Sequence, residues 1–218
     1  MKNQQTVDKT AAFIKEKFMN EYSGHDWWHM YRVWQLAKHI AKEEKGPDVL
    51  VVELAALLHD IADFKFYDGD LEAGPKAARQ WLRSLKVDDK TIAHVEDIIR
   101  NISFKGAGVK LNLKTLEGQI VHDADKLDAI GAIGLARVFA YSGVKGIPIF
   151  HPEIDPTLHT SFEEYKHNSS TSINHFHEKL LLLKDRMFTK TGKQMAAHRH
   201  KYLQDFLEEF HKEWNGKA

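Results

Sequence analysis

Residues 53–64, ELAALLHDIADF, decide how the rest of the chain is read. With Leu50 and Val51 before them, Leu54, Ala55, Leu57 and Leu58 are apolar nearly all round a helix, the pattern of a central rod buried on every side. The rod ends in an adjacent pair, His59-Asp60, and a further carboxylate, Asp63, stands one turn on. Neighbouring side chains on a helix point about 100° apart, so His59 and Asp60 grip one ion only in the wedge between them. Such a wedge has to be completed by other segments.

Outward from the rod, the flanking stretches are helical too. Apolar residues recur at helical spacing from Val7 to Tyr22, with Ser23-Gly24 as a stop, and again from His25 to Glu44, where Gly46-Pro47 breaks the run. His25, His29 and Arg32 share one face of that second helix. Further helices are expected at about Pro75–Leu85, Lys90–Ile102 and Leu116–Tyr141, the last bent or closely packed at Gly131 and Gly134. Ser161 with Glu164 forms a capping-box pattern for a helix to about Met187, and Lys193–Trp214 reads as the final helix. Phe64–Gly74, Ser103–Lys114 and Gly143–Thr160 read as loops; the last, with three prolines and two glycines, is long enough to serve as a lid. No strand-like alternation of useful length occurs, so the expected fold class is all-α.

The chain has 218 residues, within the range of a single domain. The expected arrangement is one domain, its motif core at about 25–130 and C-terminal helices at about 161–214 packing on it. Lysine plus arginine and aspartate plus glutamate each number 31, so no net field draws the chain to a nucleic-acid polymer or a membrane. The absence of cysteine excludes disulfides and thiolate metal sites. MKNQQTVDKT at the N-terminus lacks the apolar core of a signal peptide, and a cytoplasmic protein is expected. Fourteen histidines together with carboxylates are the ligand supply that remains.

Three segments offer converging ligands: His29 in GHDWWHMYRV, His59-Asp60 in LLHDIAD, and Asp125 in HDADKLD. Two imidazoles and two carboxylates leave open positions on one octahedral divalent ion such as Mn²⁺, Fe²⁺, Ni²⁺, Co²⁺ or Mg²⁺, and open positions imply catalysis. An ion held this way can polarise a phosphoryl oxygen and acidify a water.

His29, then 29 residues to His59-Asp60, then 64 residues to Asp125, resembles the H…HD…D signature of the HD-domain metal-dependent phosphohydrolases. GHDWWHMYRVWQLA, DADKLDAIGAIGLAR and NHFHEKLLLLKDRM are similar to segments of its compact bacterial members that resemble nucleoside triphosphate pyrophosphohydrolases. The resemblance, over roughly residues 7–212, implies an all-α bundle bringing His29, His59, Asp60 and Asp125 to one ion. It also implies that Asp63 orients or deprotonates the attacking water. Relatives with two metals use further histidines between the HD pair and the last aspartate; His94 and His122 alone stand there, which favours one metal.

Some positions carry competing roles. Asp123 and Asp128 compete with Asp125 as ligand, although Ala124-Asp125-Lys126-Leu127 matches the family segment. Asp26 can serve the positive end of its helix dipole. His25, Arg32, Lys65 and Lys126 are candidates to bind substrate, with ion pairing to surplus carboxylates as the competing role. His175 and Lys179 could close the pocket. Thr191-Gly192-Lys193-Gln194 fails as a phosphate loop, since Met187 and Gln194 stand where glycine and a hydroxyl are needed. The expected substrate is a small phosphorylated molecule, in particular a nucleotide: a nucleoside triphosphate cut to monophosphate and pyrophosphate. The alternatives are a phosphomonoesterase acting on a nucleoside monophosphate and a metal-holding regulatory module. A homodimer is compatible with the sequence, because a buried helix face and a dimer face read alike.

Overall fold

The computed structural model describes residues 2–20, 26–62, 70, 72–102, 113–158 and 170–217. Among them every regular element is helical: α1 (Lys2–Phe18), α2 (Trp27–Glu43), α3 (Val49–Leu58), α4 (Ala73–Ser84), α5 (Asp89–Ile102), α6 (Leu116–Asp128), α7 (Gly131–Lys145), α8 (Ser172–Glu178), a 3₁₀ turn at Leu180–Arg186, and α9 (Lys190–Trp214). The fold is all-α. The chain forms two compact units, Met1–Phe104 with Leu111–Asp125, and Lys105–Lys110 with Lys126–Ala218. No single helix among the described residues is long and apolar enough to cross a membrane.

In the first unit α3 is the axis. Every residue from Val51 to Leu58 is buried, and α1, α2 and α5 pack against it. Each fully buried leucine there contributes about 1.5–3 kcal/mol from its transfer out of water. The one carboxylate inside the rod, Glu53, accepts from the Trp34 indole of α2 at 2.8 Å, which satisfies an otherwise costly buried group. Asp48 caps the start of α3 by accepting from Leu50 and Val51, and its own N–H donates to Glu117 of α6 at 2.8 Å. Two forked pairs tie α5 to α4 and its N-cap: Arg79 donates to Glu96, and Arg100 to Glu72. Gly74 is needed for close approach, since a Cβ there would stand 3.2 Å from Ile99 and 3.3 Å from the Ala62 carbonyl.

In the second unit α7 and the 3₁₀ turn pack on α9, with Phe139, Phe176, Phe206 and Phe210 forming an aromatic core at centroid spacings of 5.6–6.1 Å. The helix expected over Leu116–Tyr141 is interrupted after Asp128. Gly131 adopts φ +78°, open to glycine at little cost, and a Cβ on Gly134 would collide with the Ala129 carbonyl. Arg199 donates to the Leu127 carbonyl and Arg137 to the Asp128 carboxylate at 3.0 Å, so the chain end left by the break is capped by side chains.

The expected loop Gly143–Thr160 starts late, because α7 runs on to Lys145. Its described part is tied to α8: Ser172 and Ile173 N–H donate to the carbonyls of Pro148 and Ile149, Asn174 donates to that of Ile154, and Glu178 accepts from Thr157 N–H. The Ser161–Glu164 capping box lies outside the described residues. The cap observed is Thr171, accepting from Asn174 N–H, and the helix that follows gives way at Lys179 to the 3₁₀ turn. The first helix starts five residues before Val7, at Lys2.

Candidate metal centre

His59 follows the last residue of α3 in helical conformation, φ −58° and ψ −33°. Its Nδ1–H donates to the Ala56 carbonyl at 2.8 Å, which points Nε2 away from the helix end and toward His29. His29 sits in the first turn of α2. Asp26 is the N-cap of that helix, and its carboxylate accepts from the His29 backbone N–H at 2.8 Å, so the residue read as serving the dipole also fixes the backbone that carries a candidate ligand.

The two imidazoles meet: His29 Nε2 and His59 Nε2 are 3.3 Å apart. Asp60 Oδ2 lies 3.5 Å from each. Asp125 Oδ1, from α6, lies 3.7 Å from His29 Nε2 and 3.8 Å from His59 Nε2. Two ligands bound to a common first-row ion at about 2.1 Å stand about 3.0–3.5 Å apart, so each of these five separations lies within a few tenths of an ångström of that range. The donor chemistry agrees. Two imidazole nitrogens facing each other with two carboxylates beside them are a donor set suited to a divalent cation. His29, His59 and Asp125 together form a group able to hold a metal. The imidazole side chains are 2% and 1% exposed while those of Asp60 and Asp125 are 17% and 19% exposed, so solvent reaches the centre from the carboxylate side.

The aspartates of HDADKLD divide their tasks. Asp123 is fully buried beside His122, their Oδ1 and Nδ1 3.2 Å apart, Asp128 is held by Arg137, and Asp125 reaches the imidazoles. Of the residues considered for substrate, Arg32 is half-buried one turn along α2 from His29, and Lys126 is buried on α6. Asp63, His25 and Lys65 lie outside the described residues. His175 and Lys179 belong to the second unit, on and just after α8. The supporting contacts of Asp26 and the Ala56 carbonyl were not anticipated as such, although an aspartate three residues before His29 was a visible cap signal.

The HD domain family profile matches residues 27–130. An HD-superfamily hydrolase from Bacillus thuringiensis is 41% identical, covering 98% of both chains, with a TM-score of 0.76. A Lactobacillus plantarum structure is 36% identical over 97% of this chain and 98% of that one, with a TM-score of 0.83. Bacillus subtilis YpgQ is 34% identical over 218 residues, 99% of this chain and 97% of that protein. Its structure in complex with ADP superimposes with a TM-score of 0.78, 29% identity and coverage of 98% of this chain and 97% of that one. Identity at this level along nearly the whole chain, with a shared fold and the profile match over the segment that carries the four converging side chains, establishes that the chain belongs to the HD domain family.

Proposed function

We propose that this HD-superfamily hydrolase is a metal-dependent phosphohydrolase that acts on nucleotides, cutting a nucleoside triphosphate to its monophosphate and pyrophosphate. The observation that carries the reading is the approach of Asp60 and Asp125 oxygens to the facing Nε2 atoms of His29 and His59, all within 3.3–3.8 Å. His29, His59, Asp60 and Asp125 would hold one divalent ion, of which Mn²⁺, Fe²⁺, Ni²⁺, Co²⁺ and Mg²⁺ suit the donors. When bound, such an ion supplies Lewis acidity toward a phosphoryl oxygen and lowers the pKa of water.

The chain's own groups do the rest. Asp63 takes a proton from the attacking water as the water oxygen joins the α-phosphorus, the bond to the bridging oxygen breaks, and pyrophosphate departs. Arg32, Lys126, Lys65 and His25 are the groups proposed to neutralise phosphate charge. The nucleotide part of the reading is supported by YpgQ, which is similar over almost its whole length and was solved with ADP. Alignments that run across both units support treating them as one domain.

The test is a panel of nucleoside mono-, di- and triphosphates assayed with each of several divalent ions, with pyrophosphate and inorganic phosphate measured separately. Pyrophosphate from a triphosphate is the expected result. Inorganic phosphate from a monophosphate would mark a phosphomonoesterase, and no turnover with any ion would point to a metal-holding module instead.

A further inference from the structure

The turn that closes α3 has one bond that the chemistry above does not use. Ile61 follows Asp60 and precedes Asp63 by two residues. Its N–H donates to the Leu58 carbonyl at 3.1 Å, and its own carbonyl, in the turn just past the end of α3, accepts from Lys17 Nζ at 2.8 Å. Lys17 lies in the last turn of α1, 44 residues away in sequence. Its ammonium also stands 5.4 Å from the centroid of the Phe18 ring. Burial pushes its pKa below the ordinary lysine range, so the group has given up part of its hydration for this contact. A cation at a helix C-terminus is favoured by the macrodipole, and here it comes from a neighbouring helix.

Holding α1 against α3 does not require this bond. The two helices pack along their length, and Val7, Thr10 and Ile14 of α1 are 2%, 0% and 0% exposed. What the bond does is local: the N–H of residue 61 is tied to Leu58 and its carbonyl to Lys17, so both peptides flanking Ile61 are held in the turn that carries Asp60. Without Lys17 that turn would lose one of its two ties, on the side where the Asp60 carboxylate is 17% exposed.

We propose that Lys17 is a positioning residue of the metal centre, holding the peptide after Ile61 so that the turn carrying Asp60 keeps that carboxylate beside the two imidazoles. The proposal rests on the metal-dependent reading above. Lys17→Met keeps the aliphatic stem and removes the donor; Lys17→Arg restores a donor. Mn²⁺ affinity is measured by competition with a chromophoric chelator, together with the Mn²⁺ electron-spin spectrum and the Tm of metal-free protein. The expected result is that K17M binds Mn²⁺ about 10-fold more weakly with a changed spectrum, while its metal-free Tm holds and K17R returns both readouts toward wild type. Wild-type affinity in K17M overturns the proposal. So does a metal-free Tm that falls in step with affinity, or a K17M protein that does not fold, since either makes Lys17 a plain structural tie. Failure of wild-type protein to bind Mn²⁺ is read before any variant and removes the underlying metal reading itself.

Discussion

His59 Nε2 faces His29 Nε2 at 3.3 Å, and the direction of the first is set by its other nitrogen, which donates to the Ala56 carbonyl. One imidazole is thereby aimed at a second with two carboxylates alongside, an arrangement that a shared cation would stabilise. Replacing Asp60 with alanine removes the carboxylate adjacent in sequence to His59 and is expected to abolish metal retention and turnover together. Metal analysis of the purified variant checks this, and wild-type content would sink the assignment.

Asp63→Asn separates holding from catalysis. Metal content should stay at the wild-type level while turnover falls by about 10²–10⁴-fold, the range for loss of a general base. Single-turnover kinetics at saturating substrate is the measurement, and an unchanged rate removes Asp63 from the mechanism.

Asp26 links helix capping to the centre. Its replacement by alanine leaves the His29 N–H without its acceptor and should cost about 1 kcal/mol in a denaturant titration, with Asp26→Asn recovering most of it. Metal affinity should fall in the alanine variant beyond that, because the backbone of His29 loosens.

Acid should act through His175. Burial, reinforced by the Lys179 ammonium, pushes this imidazole down to about 3 from 6.5. Between those values the unfolded chain binds a proton that the folded chain refuses, so stability falls as pH drops from 6.5 toward 3, by at most about 1.4 kcal/mol per pH unit for this one group. Unfolding free energies of wild type and His175→Leu over that window test it: the variant should show the shallower slope.

Gly134→Ala places a methyl group against the Ala129 carbonyl at the break between α6 and α7. Backbone has no rotamer by which to retreat, so a loss of about 1–3 kcal/mol is expected by chemical denaturation. An alanine variant of wild-type stability would show that the break can relax.

The sequence made α3 and the convergence at its end legible because burial on all sides and an abrupt polar end leave few alternatives. The approach of Asp125 to the imidazoles was legible through its segment, while the contacts of Asp123 and Asp128 depended on His122 and Arg137, partners that spacing does not reveal. The break after Asp128 was not legible. Apolar periodicity continues through Leu127 and Ile130, and a glycine at 131 marks flexibility without saying that φ turns positive. Leu180–Leu183, four leucines in a row, carry no period that separates an α-helix from the 3₁₀ turn they form. The early start of α1 was hidden because residues 2–6 are polar. Lys17 was hidden for another reason: its partner is a backbone carbonyl, which has no letter in a sequence.

The burial of α3 has a consequence for how the protein tolerates change. From Val51 to Leu58 no position looks outward, so none can absorb a neutral substitution by letting a new side chain drift into water. A saturation mutagenesis scan should show an eight-residue trough of intolerance running straight into His59-Asp60. Selection on folding would then guard the approach to His59-Asp60 independently of any selection on what that pair does.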